Sequence, residues 1–303
     1  MTDEVAKLAY PGSYDAAGEA SLRGQKRYMG LVGVRSVALV IAALGGAVSW
    51  SLGGIDVFAW AALIAFLLAL AVEVLTYALA PEQVWYEGRA AAESVKTLTW
   101  RYCVGGDPFP SHLSEQDASA LFLAQLSELT TDLNYIPPPI VDPTREVTDS
   151  MKRARASSFD TRKSLYLAGR ILDQVSWYSK NAQANDRWRQ VFLLLTILIE
   201  FAGVLAATFR TAGAINFDML GILAAMAAGL ATWAQTRQYG LLARSYSIAA
   251  HELNVIRSEV ESKNGKSWAR FVDEAEEAVS REHTLWRASR GVLTRPGRSP
   301  WVK

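Results

Sequence analysis

Thiol and imidazole chemistry are nearly absent from this chain. Its single cysteine, Cys103, rules out an internal disulfide and a thiolate metal site. The three histidines, His112, His251 and His283, are far apart and lack metal-ligand spacing, so no metal and no cofactor is expected. A phosphate loop, a dinucleotide fingerprint and a motif-placed Ser-His-Asp arrangement are all missing, which argues against an enzyme. No strand pattern occurs. A cleaved signal peptide does not fit, because the first apolar block begins near residue 31 behind a polar leader. The net charge of +1 argues neither for nor against a nucleic-acid partner, and none is expected.

Half of the residues are nevertheless hydrophobic while 20% are charged, and the mean hydropathy is just above zero. The two reconcile because the apolar residues lie in blocks. Crossing the hydrocarbon takes about 20 apolar residues, and residues 31–50, 57–80, 191–209 and 217–235 qualify or nearly do. Short connectors make each pair an antiparallel hairpin. The reading is therefore all-α: an integral membrane protein with four transmembrane helices as two hairpins and long cytoplasmic helical extensions. Lys and Arg crowd the leader, the central region and the tail, whereas residues 51–56 hold none and the other connector only Arg210. That asymmetry puts both termini in the cytoplasm, and a bacterial inner membrane is the expected location.

The segments divide as a cytoplasmic leader (1–30), a first two-span unit with return helix (31–106), a helical insert (107–157), a second two-span unit (158–264), and an amphipathic helix with a basic tail (265–303). Ala91-Ala92-Glu93 and Ala250-His251-Glu252 recur about 160 residues apart, the mark of a parallel duplication. Pro81 marks a kink or restart of the first return helix. Small residues at four-residue spacing, Ala38, Ala42 and Gly46 in the first span and Gly221, Ala225 and Gly229 in the fourth, predict close helix contact.

Two stretches carry a family resemblance. Trp85-Tyr86-Glu87-Gly88-Arg89-Ala90-Ala91-Ala92-Glu93-Ser94-Val95-Lys96 leads to Trp100-Arg101-Tyr102. Arg170-Ile171-Leu172-Asp173-Gln174 is followed by Trp177-Tyr178, Lys180 and Asn185. Together with Tyr246, Ala249, Ala250, Glu252 and Leu253, these resemble two types of SLATT domain (SMODS and SLOG-associating two-transmembrane effector domains). The resemblance runs from about residue 20 to 265 and leaves residues 109–157 unmatched. It implies a membrane effector, pore-forming, in bacterial conflict systems that signal through nucleotides; the chain shows no nucleotide-generating or sensor domain.

Ionisable groups inside a span are costly and therefore candidates for function. Arg35 and Glu73 lie at similar depth, so they can pair within the first hairpin, or Glu73 can serve an ion path. Glu200 lies near the midplane, on one face with Thr196, Gly203 and Ala207. That face is a candidate pore lining; a protonated Glu200, or one paired with Arg35, is the alternative. Lys152, Arg153, Arg155, Arg162 and Lys163 form a basic run that is either a solvated surface or a polyanion site. The rings of Trp85, Tyr86, Trp100, Trp177 and Tyr178 are expected to pack the cytoplasmic helices. These features describe an oligomeric channel or pore, cation-conducting, whose partners are the lipid bilayer and further copies of the chain in a tetramer. A cytoplasmic nucleotide or protein regulator stays open, and a non-conducting scaffold or a small transporter is the alternative.

Overall fold

The computed structural model describes residues 8–47, 50–52, 54–131, 133–137, 142–214 and 219–289. The helices are α1 (Gly12–Ala47), α2 (Val57–Leu79), α3 (Pro81–Val104), α4 (Glu115–Thr131), α5 (Pro143–Glu146), α6 (Asp149–Ala156), α7 (Phe159–Tyr166), a π-helical segment (Leu167–Leu172), α8 (Asp173–Thr211), α9 (Met219–Arg237), α10 (Tyr239–Val260) and α11 (Trp268–Ser289). Four of the helical stretches are long and apolar enough to cross a membrane, so the protein is an all-α membrane protein with two hairpins.

One detail departs from the absence of strand pattern. Ser51–Leu52 (β1) and Ile55–Asp56 (β2) form an antiparallel ladder, Leu52 opposite Ile55, in the first connector. Gly54 supplies the positive φ of 86° that the turn needs. Asp56 then caps α2, its Oδ1 accepting from the N–H groups of Phe58 at 3.0 Å and Ala59 at 3.1 Å.

Both lead-in helices run on into their spans, but both return helices restart. Ala80 takes a left-handed conformation, and Pro81 begins α3 at the position where a missing N–H costs nothing. The second half has the same break at Gln238, φ 52°, with no proline beside it.

Contacts divide the chain into two compact units. One draws on the described residues within Met1–Gln25, Glu82–Ser179 and Ser245–Lys303; the other comprises those within Lys26–Pro81 and Lys180–Arg244. They cut across the five sequence segments. In the polar unit the insert supplies part of the core: Phe109, Phe122, Leu126 and Met151 are fully buried. The rings of Tyr102, Phe109 and Phe122 meet at centroid distances of 5.4 to 6.2 Å, the range in which aromatic pairs add to simple burial. Gly88 lets α1 and α3 touch, since a Cβ there meets the Ser21 backbone nitrogen at 2.7 Å. Trp268 of α11 anchors the end of α3, its Nε1–H donating to the Val104 carbonyl at 2.7 Å.

In the apolar unit, small residues make the close approach. Ala38 and Ala42 of α1 and Ala65 and Ala69 of α2 are buried. The tight crossing falls on Gly45, where a Cβ meets the Phe58 carbonyl oxygen at 2.6 Å; Gly46, the stripe residue, faces open space. Gly229 packs against Val40, but Gly221 is exposed. Large apolar side chains such as Leu70, Phe201 and Val204 point outward, as helices in lipid require.

Candidate functional site

Arg35 and Glu73 are paired across the first hairpin, Nη1 to Oε2 at 2.6 Å. Both side chains stay partly accessible, 43% and 55%. Each therefore neutralises the other while remaining on the surface of the unit.

The second hairpin separates the Glu200 group instead of keeping it on one open face. Gly203 is buried against α9, with a Cβ on it 3.6 Å from Cδ1 of Leu220. Thr196 spends its hydroxyl on its own helix, donating to Phe192 O at 2.9 Å, and Ala207 is half-buried. Glu200 alone is exposed, beside that packed face, and it makes no hydrogen bond or ion pair among the described residues. Helical spacing puts the four on neighbouring positions of α8, and α9 covers part of the group.

The basic run is broken up by the polar unit. Arg155 is buried, and its guanidinium donates to four carbonyls: Tyr102 at 3.2, Phe109 at 2.8, Pro110 at 2.9 and Leu113 at 3.2 Å. It clamps the loop between α3 and α4. Arg162 is buried too and donates to the Arg155 carbonyl at 3.0 Å. Lys163 caps the C-terminal end of α10, reaching Glu261 O at 2.9 Å and Lys263 O at 3.1 Å. Lys152 lies 3.9 Å from Glu115, and Arg153 is exposed. Five charges within twelve residues thus face different ways, because α6 and α7 are separate helices that each bury one arginine.

The centre of the polar unit holds a charged pair, one member of which, Arg170, opens the second family-like stretch. Arg170 and Glu276 are both fully buried and form a two-pronged ion pair, Nε to Oε1 at 2.9 Å and Nη2 to Oε2 at 2.7 Å. The Tyr166 hydroxyl donates to Oε1 at 3.0 Å and the Thr97 hydroxyl to Oε2 at 2.9 Å. Arg170 lies in the π-helical segment, where the irregular turn also lets Gly169 accept the edge of Trp100, with a Cβ 2.9 Å from Cη2. Burial disfavours the charged guanidinium, but the Glu276 carboxylate and its hydrogen bonds outweigh this, so its pKa is raised. Burial likewise pushes the Tyr166 phenol well up. Nearby, Tyr10 accepts from Trp100 Nε1 at 3.0 Å, and burial lifts its pKa to about 12. Burial lowers Lys96, and the Arg170 charge lowers it further.

The signal for Glu276 was present but slight. Val272, Glu276 and Val279 fall at spacing that keeps one face of α11 inward, so an acid stood on an apolar face. The aromatic side chains do pack the helices: Trp85, Tyr86, Trp100 and Tyr178 are buried, and Trp177 meets the Tyr246 ring at 5.2 Å. Among the described residues there is no group of His, Cys, Asp and Glu that could hold a metal ion.

No curated protein and no solved structure matches the chain. Two family matches cover nearly all of it. Residues 11–163 match SMODS and SLOG-associating 2TM effector domain 3, and residues 166–286 match SMODS and SLOG-associating 2TM effector domain 1. The first match includes the insert, in keeping with its place in the core, and the second extends through most of α11. Since the first match alone spans half of the sequence, the protein belongs to the SLATT family and carries two of its membrane effector domains in tandem.

Proposed function

We propose that the chain is one subunit of a homo-oligomeric membrane pore that conducts cations, with the polar helices controlling its opening. The observation that carries this reading is Glu200, an exposed carboxylate halfway along the apolar stretch of α8 (191–209) with no partner among the described residues. An ionised group facing hydrocarbon is strongly disfavoured, so such a side chain belongs against water or against another copy. A symmetric ring of copies provides both, and a ring of carboxylates attracts cations. The α9 helix supports the same reading, because none of its residues is fully buried within a single copy. Four copies are the working stoichiometry, set in a bacterial inner membrane with both termini in the cytoplasm. The family's description as an effector domain fits a protein that acts on the bilayer itself.

The test is ion flux from liposomes containing the purified protein, wild type against Glu200→Gln. Cation flux in wild type that loses rate or selectivity in the variant supports a path past Glu200. A wild type that never conducts, across cytosolic nucleotides and pH values, overturns the pore in favour of a scaffold.

A further inference from the structure

The polar ends of the apolar unit stand at one level. A Cβ on Gly33 of α1 meets Trp233 of α9 at 3.6 Å, and one on Gly229 of α9 meets Val40 of α1 at 3.6 Å. The two helices are therefore antiparallel, and Lys26 and Arg27 stand level with the junction of α9 and α10. The α8 helix joins them there. Arg189 lays its Cδ 3.3 Å from the Cβ position of Gly240, and the rings of Trp188 and Tyr239 stack at 6.4 Å.

This end is cationic and largely unneutralised. Lys26, Arg27, Lys180, Arg187 and Arg244 are exposed and make no hydrogen bond or ion pair among the described residues. Arg237 lies over the Trp233 ring at 5.2 Å, with its buried Nε lacking a partner. Arg189 differs, since Asp186 pairs with it at 2.8 Å.

We propose that this band of cations and indoles, spread over about two helical turns, is a docking surface for the headgroups of anionic phospholipids. Guanidinium forks match phosphate oxygens, and a negatively charged leaflet attracts basic residues held at its surface. Indole and phenol rings settle at headgroup depth, where one edge meets hydrocarbon and the other water. Trp188, 53% exposed beside Arg187, offers that apolar contact, which a free soluble anion leaves unused. The inference needs the spans to lie in a membrane; it does not need them to conduct.

The experiment is native mass spectrometry of the full-length protein in detergent with an equimolar mixture of phosphatidylglycerol and phosphatidylcholine of the same acyl chains. Wild type retains phosphatidylglycerol in about tenfold excess at low salt, and the excess shrinks as ionic strength rises. Lys180→Gln, Arg187→Gln and Arg244→Gln combined remove most of the excess. If the triple variant does not fold, Arg187→Gln and Arg244→Gln are read singly. Equal retention of both lipids by wild type overturns the proposal. So does an excess that the substitutions leave intact, or one that soluble glycerol phosphate abolishes at concentrations equal to the lipid.

Discussion

Ala80 and Gln238 hold the same place in the two halves of the chain: each is the left-handed residue at which a span ends and its return helix begins. Their φ angles are 43° and 52°, and no other described residue except glycine has a positive φ. Each closes the helix behind it, the N–H of Ala80 donating to Thr76 O at 3.1 Å and that of Gln238 to Ala234 O at 3.0 Å. Left-handed backbone costs a residue with a Cβ about 1 kcal/mol. The duplicated chain carries that cost at both exits, using proline beside one and not the other.

Relieving it is expected to stabilise the protein. Ala80→Gly and Gln238→Gly each raise stability by up to about 1 kcal/mol, because glycine adopts positive φ without a Cβ clash. Ala80→Val lowers it, since a β-branched side chain suits that conformation least. Thermal melting in detergent, followed by helical circular dichroism, reads all three. Glycine variants that melt below wild type would show that the breaks are not strained.

The Arg170–Glu276 pair predicts non-additive damage. Glu276→Gln leaves a buried guanidinium without its counter-charge, a change that costs about 3–5 kcal/mol for pairs of this kind. Arg170→Met strands the carboxylate in the same way. Removing both charges in Arg170→Met with Glu276→Met leaves neither group stranded, so the double variant is expected to melt above either single one. If the single losses simply add, the two residues are not acting as a closed pair.

Sequence pattern was a good guide where one residue type repeats and a poor one where single side chains meet across distance. The four spans, their hairpin pairing and the long lead-in helices follow from blocks of apolar residues, and the Pro81 restart follows from a missing N–H. The Gln238 break has no such marker. The insert falls outside the stretches that carry the family resemblance, yet Phe109, Phe122 and Met151 belong to the polar core. In the candidate site, Arg35 and Glu73 were brought together by depth alone. Arg155 was grouped with its basic neighbours, and nothing local says that its partners are carbonyls more than 40 residues away. Charge runs report composition, whereas burial is decided by which helix face turns inward.

Alkaline pH should weaken the polar unit through its buried phenols. Burial raises Tyr10 to about 12, whereas an unfolded tyrosine ionises near 10. Between those values the unfolded chain gives up a proton that the folded chain keeps, so stability falls as pH rises through the window. Tyr10→Phe removes this contribution and also the hydrogen bond accepted from Trp100, worth about 1 kcal/mol. The variant is therefore expected to melt lower at pH 7 and to lose less between pH 10 and 12. Parallel melting curves across that window would remove Tyr10 from the account.

Gly45 and Gly46 adjoin each other near the end of α1 and give the first hairpin its sharpest test. A Cβ at Gly45 lies 2.6 Å from the Phe58 carbonyl oxygen and 3.0 Å from Cβ of Ala62, so backbone must move to admit it. At Gly46 nothing lies within 4 Å. Gly45→Ala is expected to lose about 1–3 kcal/mol from overpacking, while Gly46→Ala is neutral or gains up to about 1 kcal/mol from helix propensity. Both substitutions change propensity alike, so the difference between their melting temperatures isolates the contact with α2. The opposite order would mean that Gly46, not Gly45, continues the buried Ala38–Ala42 face against α2, a turn of α1 that would move Arg35 relative to Glu73 as well.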